Sequence, residues 1–386
     1  MSNRKRVAVV TSGRFHLLDL ARELHEQGHD VAFYSCAPRA RATSFGLPAE
    51  AWRGLDSLCY PLYWVNQRAK SHILQRLSFA ALQRAMARTL ERRLAPCDGL
   101  IALSGLLPQA NVRLCRRYGA RLWIERGSRH YLSQMRILAN IPGARPPRQA
   151  PPDGELADYA NADRIVVPAA HVVRSFLEEG VSAGKLFCNP YGVDLRMFAP
   201  TPVPPVGTPP TIIMVGRWSY RKGCDLLTSA WRAMPGVRLC HVGPVDDCPL
   251  PMEQGFMHTD SVDQTALRAH YGQGHVFALA SREEGLALVQ AQALACGLRL
   301  VCTDRTGGED LRQFLPDPNT VTVVPSDNVD ALRSALKQSL DLARAEPAGL
   351  RDRFAGASEE LSWRGYGRRY SDALRADLNF STGMAV

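Results

Sequence analysis

Short apolar runs alternate along this chain with longer segments in which apolar residues recur every three or four positions. The chain opens with an apolar run at 7–11, a Ser12-Gly13 turn, a helical pattern over 16–27 and a second run at 31–35, which predicts a βαβ unit. Seven further strand patterns follow at 100–103, 121–124, 164–167, 211–215, 237–242, 275–279 and 298–302. Since strands that alternate with helices form parallel sheets covered on both faces, the pattern predicts an α/β fold.

A proline-rich segment divides the chain into two parts. Residues 199–210 contain six prolines in twelve positions, which excludes a helix or a central strand there. A length of 386 residues also favours two domains. We therefore predict two Rossmann-like domains, 1–198 and 211–360, joined by this linker. A second proline-rich stretch, 142–152, is predicted to be a surface loop.

One helical pattern, from Gln67 to Leu94, has two opposed faces. Four apolar residues form a stripe, and three arginines lie on the other side of the helix: Leu82, Met86, Leu90 and Leu94, against Arg84, Arg88 and Arg92. The segment carries seven basic residues and one acidic residue and follows the aromatic run 58–65. Two interpretations remain open, an ordinary surface helix packed on the sheet and a basic face resting on anionic lipid.

Composition and charge narrow the class of protein. With 46% hydrophobic and 22% charged residues and no long apolar run, the chain is neither disordered, collagen-like nor a polytopic membrane protein. The net charge is +10, and residues 1–200 carry 28 Lys and Arg against 16 Asp and Glu, or +12, which leaves −2 for the rest. This asymmetry indicates an anionic partner for the first domain. No helix-turn-helix, zinc or RNP signature is present, so we expect no nucleic acid.

The cysteines and the N-terminal residues give indications of the cellular compartment of the protein. The ten cysteines include no CxxC pair, and we expect reduced core residues. The N-terminal apolar run is too short for a signal peptide, so we expect a cytoplasmic protein.

The first turn does not carry a dinucleotide or P-loop fingerprint. GxGxxG and GxxxxGK[ST] are both absent, which argues against an NAD or FAD enzyme and a P-loop ATPase. Gly13 still places backbone N–H groups at a helix start, where they suit an anionic ligand, although a purely structural turn explains the glycine equally well.

Two segments of the second half carry residues suited to a nucleotide diphosphate. An apolar strand ends in Gly216-Arg217, and Lys222-Gly223 follows five residues later. Strand ends of parallel sheets open into the ligand crevice, where a guanidinium and an ammonium can bind phosphates, although such residues are also common surface charges. In the second segment, 281–297, Glu284 and Gln292 are eight residues apart, which predicts that they lie near one face of a helical element.

Together these motifs resemble a family-four retaining glycosyltransferase of the GT-B fold. The Gly-Arg…Lys-Gly strand end and the Ser-x-x-Glu-Gly-Leu…Ala-Cys-Gly segment occur in the family's order, and 361–370 resembles its final helix. The resemblance covers about 160–375. It implies that residues 361–386 form a helix that returns to the N-terminal domain, and that the first domain binds the acceptor.

The resemblance also implies roles for residues of this chain. Arg217 and Lys222 hold the donor diphosphate without a metal or other cofactor, Glu284 contacts the donor sugar, and Gln292 meets the ribose where the family has Glu. The expected donor-binding residues are Gly13, Gly216, Arg217, Lys222, Gly285, Leu286, Ala287, Leu288 and Gln292.

A polar cluster after strand 121–124 is the expected contribution of the first domain. Related enzymes often place a histidine near the donor sugar, so His130 is predicted to be catalytic, together with Glu284, Lys222 and Arg217. Arg126 and Ser128 are its predicted neighbours in the cleft, and His16 is the competing histidine.

The predicted activity is retaining transfer of a sugar from a UDP- or GDP-sugar to a glycan or lipid-linked glycan acceptor, in cell-surface polysaccharide or glycolipid synthesis. Peripheral contact with an anionic membrane through 58–94 is expected, at the inner face of the plasma membrane. Two alternatives stay open, a GT-B epimerase or phosphorylase and a non-catalytic scaffold of a glycan-assembly complex, which the neutral Gln292 motivates.

Overall fold

The computed structural model describes residues 4–55, 57–69, 71–144, 153–353 and 358–382. Two parallel sheets form the centres of two domains, as predicted. Most of the second proline-rich stretch lies outside the described residues.

The first domain contains a seven-stranded sheet with the order β3-β2-β1-β4-β5-β6-β7. Its strands are β1 Arg6–Val10, β2 Asp30–Ser35, β3 Trp52–Gly54, β4 Gly99–Leu103, β5 Arg121–Glu125, β6 Arg164–Val167 and β7 Leu186–Cys188. Its helices are α1 Leu17–Glu26, α2 Arg39–Ser44, α3 Cys59–Arg68, α4 His72–Arg93, α5 Pro108–Tyr118, α6 Tyr131–Ala139, α7 Asp153–Asn161 and α8 Ala170–Glu178.

The second domain contains a six-stranded sheet with the order β10-β9-β8-β11-β12-β13. Its strands are β8 Thr211–Val215, β9 Arg238–Val242, β10 Phe256–Thr259, β11 Val276–Leu279, β12 Arg299–Thr303 and β13 Val321–Val324. Its helices are α9 Cys224–Arg232, α10 Leu267–Gly272, α11 Leu288–Ala295 and α12 Val329–Arg344. In each sheet the strand order reverses beside the first strand, at β1/β4 and β8/β11, and such switch points open a crevice at the carboxyl ends of the strands.

A last helix, α13 Trp363–Thr382, returns to the first domain, as expected. Ser371 lies 2.8 Å from Nε2 of the buried His29, and the Asp377 carboxylate accepts a 3.1 Å hydrogen bond from the Trp123 indole. The chain crosses between the domains a first time near Val193, which pairs with Ser362 just before this helix.

The two-faced helical pattern is confirmed, but it forms two helices, α3 and α4, rather than one. Leu82, Met86, Leu90 and Leu94 are buried. Arg84, Arg88 and Arg92 on the other face are exposed. All ten cysteines are free, and eight of them are buried, which also agrees with the sequence.

Candidate active site

The loop after β8 is folded tightly against the end of β11. Gly223 adopts a left-handed conformation (φ +65°), and a Cβ atom added there would lie 1.9 Å from the carbonyl oxygen of Ala280. The N–H of Arg282 donates to the carbonyl of Arg221 over 2.9 Å. Only glycine permits this close approach. Gly223 therefore lets the loop place the neighbouring Lys222 beside the 281–285 turn.

Four charged side chains meet at this contact. The Lys222 ammonium forms an ion pair with the Glu284 carboxylate, and both side chains are mostly buried. The Arg221 guanidinium lies 2.8 Å from Glu283 and 3.7 Å from Glu284. Burial raises the pKa of Glu284, but the charges of Lys222 and Arg221 outweigh this and hold the pKa below its usual value. Glu284 is therefore an anion at neutral pH, able to accept hydrogen bonds from hydroxyl groups.

The 281–285 turn also contacts the first domain. Nε2 of Gln134 donates to Glu283 over 3.1 Å, and Nε2 of His171 donates to the Glu284 carbonyl over 3.0 Å. Burial lowers the pKa of His171 to about 4, so its imidazole is neutral at pH 7. A Cβ atom on Gly285 would lie 1.8 Å from the carbonyl oxygen of Gly127. The two domains thus meet at the Glu283–Gly285 backbone.

Arg217 and Gln292 lie apart from this cluster. The Arg217 side chain is 58% exposed and faces Asp246 at 3.5 Å. The spacing predicted that Glu284 and Gln292 lie near one face of a helical element. They do not share a helical face, because α11 begins only at Leu288. Gln292 lies on the second turn of α11, where its Oε1 accepts a 3.1 Å hydrogen bond from Tyr271.

His130 does not join the cluster, contrary to the sequence prediction. Its ring packs between Tyr159 and Phe176 inside the first domain, with centroids 4.9 and 5.0 Å away, and burial lowers its pKa to about 4. Arg126, its predicted neighbour, contacts the cluster through Gln134, whose Oε1 it reaches at 2.7 Å.

His16, the competing histidine, lines a cavity of about 340 Å³ between the domains. Leu288 and Gln292 of α11 lie on its other side.

The remaining predicted residues lie in turns. Gly13 lies beneath the Tyr63 hydroxyl of α3, which a Cβ atom added to Gly13 would approach to 2.6 Å. The predicted turn residues Leu286 and Ala287 are buried, and Ser128 lies in the turn after β5.

Sequence reasoning missed several residues of the site: Arg221, Glu283, Gln134 and His171. Arg221 and Glu283 adjoin the predicted Lys222 and Glu284, and this adjacency was the one available signal. Among the described residues, no group of three or more His, Cys, Asp or Glu side chains is arranged to hold a metal ion.

Comparison with known protein families identifies the second domain. Residues 209–341 match the model of the family "Glycosyl transferases group 1". The second domain thus matches the group 1 glycosyltransferase family, and the chain has the GT-B fold. The family and the fold predicted from the motifs are therefore confirmed.

Solved GT-B structures superpose on both domains of this chain. Sucrose-phosphate synthase from Thermosynechococcus elongatus has a TM-score of 0.66 at 15% identity. The superposition covers 97% of this chain and 100% of the synthase chain. Anabaena HepE, solved with UDP and glucose, has a TM-score of 0.63 at 12% identity. The superposition covers 96% of this chain and 100% of HepE. These likenesses establish the fold.

Two curated relatives match this chain over part of their length. One subunit of the phosphatidylinositol N-acetylglucosaminyltransferase from Arabidopsis thaliana is 30% identical over 236 residues, or 57% of this chain and 51% of the relative. D-inositol 3-phosphate glycosyltransferase of Xylanimonas cellulosilytica is 29% identical over 269 residues, or 61% and 62%. The chain thus spans between half and two thirds of the length of these relatives.

Proposed function

We propose that this protein transfers a sugar from a UDP- or GDP-sugar to a glycan or lipid-linked glycan acceptor, with retention of configuration and without a metal ion. The observation that carries the proposal is the Lys222–Glu284 pair at the domain contact, backed by Arg221 and Glu283. The names of both curated relatives describe sugar transfer, and both names contain inositol. Anabaena HepE was solved with UDP and glucose.

The cluster supplies the two kinds of group that such a transfer needs. The bond between the anomeric carbon and the diphosphate breaks with its electron pair on the phosphate, and the Lys222 ammonium stabilises that charge without a proton transfer. The Glu284 carboxylate accepts hydrogen bonds from sugar hydroxyls and fixes the sugar beside the phosphate. Contact between the domains excludes water, which would otherwise compete with the acceptor.

A panel of nucleotide sugars tests the proposal. We expect calorimetry to show binding of one UDP- or GDP-sugar in EDTA-treated buffer, and NMR to show a product glycoside with the anomeric configuration of the donor. Binding of none of the nucleotides would point to a scaffold. Conversion of the donor sugar to an epimer without an acceptor would point to an epimerase.

We also propose that α3 and the start of α4 rest on an anionic membrane surface. Several large apolar side chains there are exposed, with Ile73 at 73%, Leu77 at 65% and Trp64 at 56%. The two helices pack together through Asn66, which donates to the Gln75 carbonyl over 2.9 Å. No helix in the described part of the chain is both long and apolar enough to cross a bilayer.

Charge on the same helices favours anionic lipid as the occupant of this surface. The Arg68 guanidinium lies 4.2 Å from the centre of the Trp64 ring. Arg84, Arg88 and Arg92 extend the basic face along α4. Aromatic and aliphatic side chains insert at the head-group boundary, while neighbouring arginines attract anionic lipids. A lipid-borne acceptor would then be held at the surface that the protein binds.

Vesicle binding tests this docking surface. We expect the double variant Ile73→Ser/Leu77→Ser to lose at least tenfold in partitioning onto phosphatidylglycerol vesicles, because two apolar side chains no longer insert. The triple variant Arg84→Glu/Arg88→Glu/Arg92→Glu should lose binding most strongly at low salt.

The control is Leu342→Ser, which removes an exposed leucine from α12 of the second domain. It should bind vesicles as the unmodified protein does, and donor affinity should be unchanged in all three variants. Unaltered vesicle binding in both test variants would contradict the proposal. So would a dimer in solution that the serine variant dissociates, since a second copy would then cover the surface.

A further inference from the structure

A phenylalanine at the cleft has a backbone conformation that its residue type disfavours. Phe15 lies in the turn between β1 and α1 and has a φ of +40°. Among the described residues, Asp327 is the one other non-glycine residue with a positive φ. Aspartate adopts this conformation more readily, and the Asp327 carboxylate gains an ion pair with Arg282 at 2.6 Å. For a bulky residue such as phenylalanine, a positive φ is an outlier that the surrounding structure must enforce.

Hydrogen bonds on both sides of Phe15 enforce this conformation. The carbonyl of Arg14 accepts a 3.2 Å hydrogen bond from the Leu18 N–H. The carbonyl of His16 accepts one of 2.9 Å from the Leu20 N–H. The positive φ is therefore built into the start of α1 and does not depend on the phenyl ring.

The phenyl ring contributes little to the packing of the protein. The Phe15 side chain is 49% exposed. Within the described part of the chain, it belongs to neither hydrophobic core and stacks on no other aromatic ring. It instead borders the cavity of about 340 Å³ between the domains. Strained residues cluster at ligand sites, so a ring that folding does not use, held at a cavity wall, indicates a bound ligand.

The other walls of the cavity indicate which ligand would pack on this ring. They include the carboxylate residue Asp194, the amide residue Gln264 and the guanidinium residue Arg14. A hydrocarbon chain would leave these polar groups without partners, and a compact phosphate would leave the phenyl ring without a contact. A six-membered polyol ring suits both kinds of wall, because it has a face of C–H bonds and hydroxyl groups around its edge.

We propose that Phe15 is the platform on which a sugar or cyclitol ring of the acceptor packs; this rests on the proposed function. Phe15 belongs to the first domain, to which the acceptor is assigned, and Leu288 of the donor-side helix α11 lines the same cavity. The phenyl ring takes no part in the chemical step. It binds one face of the acceptor ring and so places the acceptor hydroxyl groups beside the donor.

The test compares Phe15→Asn with Phe15→Tyr. Asparagine tolerates a positive φ but lacks the ring, whereas tyrosine keeps the ring. The probes are myo-inositol and the methyl glycosides of glucose, galactose and mannose, each titrated by NMR with UDP or GDP present. We expect at least one probe to bind the unmodified protein and Phe15→Tyr alike, and to bind Phe15→Asn about fivefold more weakly or worse. Saturation transfer from aromatic protons to the C–H protons of that probe should fall in Phe15→Asn.

Thermal unfolding separates this role from a structural one. Because asparagine adopts the backbone conformation with less strain, Phe15→Asn should unfold at the same temperature as the unmodified protein or at a higher one, although it binds the probe more weakly. Leu177→Asn, which replaces an exposed leucine of α8, is the control and should leave probe affinity unchanged.

Two results would overturn the proposal directly: binding of no probe to the unmodified protein, and equal probe affinity in Phe15→Asn. A loss of nucleotide-sugar affinity in Phe15→Asn as large as the loss of probe affinity would place the ring at the donor and would also overturn it. The proposed function fails by a different result, an unmodified protein that binds none of the nucleotide sugars. The two failures are therefore distinguishable.

Discussion

Replacing Lys222 by methionine is expected to reduce sugar transfer about 10²- to 10³-fold or more, and Glu284→Gln should have a similar effect. Lys222→Met keeps the length of the side chain but removes the charge that stabilises the departing diphosphate. Glu284→Gln keeps the shape of the carboxylate but weakens its hydrogen bonds to the sugar. The measurements are initial rates with the donor identified by calorimetry, and unfolding curves for each variant.

The two residues form an ion pair, so a double variant separates folding from chemistry. Each single change leaves a mostly buried charge without its partner and should lower stability. Lys222→Met/Glu284→Gln should recover stability but not activity. Arg333→Met breaks the exposed pair with Asp330 on α12 and should change neither. Transfer at the normal rate by a folded single variant would contradict the assignment of this cluster.

Gly285→Ala is expected to lower kcat by two orders of magnitude or more, because the added methyl group would overlap the backbone carbonyl of Gly127. The Cβ atom would lie 1.8 Å from that oxygen, and neither backbone is a flexible side chain that could move aside. The domains must then separate at the 281–285 turn, which admits water and displaces Glu284. Steady-state kinetics and small-angle scattering measure the two consequences.

Gly184→Ala is the matched control for this variant. Its φ is not in the left-handed region, and the nearest neighbour of an added Cβ would be a serine hydroxyl at 3.8 Å. It should retain full activity and an unchanged radius of gyration. If Gly285→Ala were as active and as compact as the control, the domain contact would not be required for transfer.

The sequence predicted nine of the thirteen strands that the described residues form, and the four that it missed are the edges of the two sheets. These are β3, β7, β10 and β13. Central strands are buried on both faces and form continuous apolar runs, such as the fully buried 211–215. Edge strands are short and partly exposed, as in the alternating burial of β10, so they lack that run.

The candidate site was predictable where its residues stand in recognisable motifs, and not where only the fold determines which side chains meet. Lys222 and Glu284 stand in recognisable motifs, and the structure pairs them. His16 borders the cavity between the domains, whereas His130 packs inside the first domain. This difference depends on how β1 and β5 lie in the sheet, which no local pattern determines. The same holds for Gln134, which reaches Glu283 across the domain boundary.

The return of α13 to the first domain has a consequence for how the protein is made. Asp377 binds Trp123 and Arg121, so about the last twenty described residues complete a domain begun at the N-terminus. During synthesis the second sheet can close before the first domain has its final helix. The first domain should therefore mature after the second during synthesis, and its early surface would need protection until α13 has emerged from the ribosome.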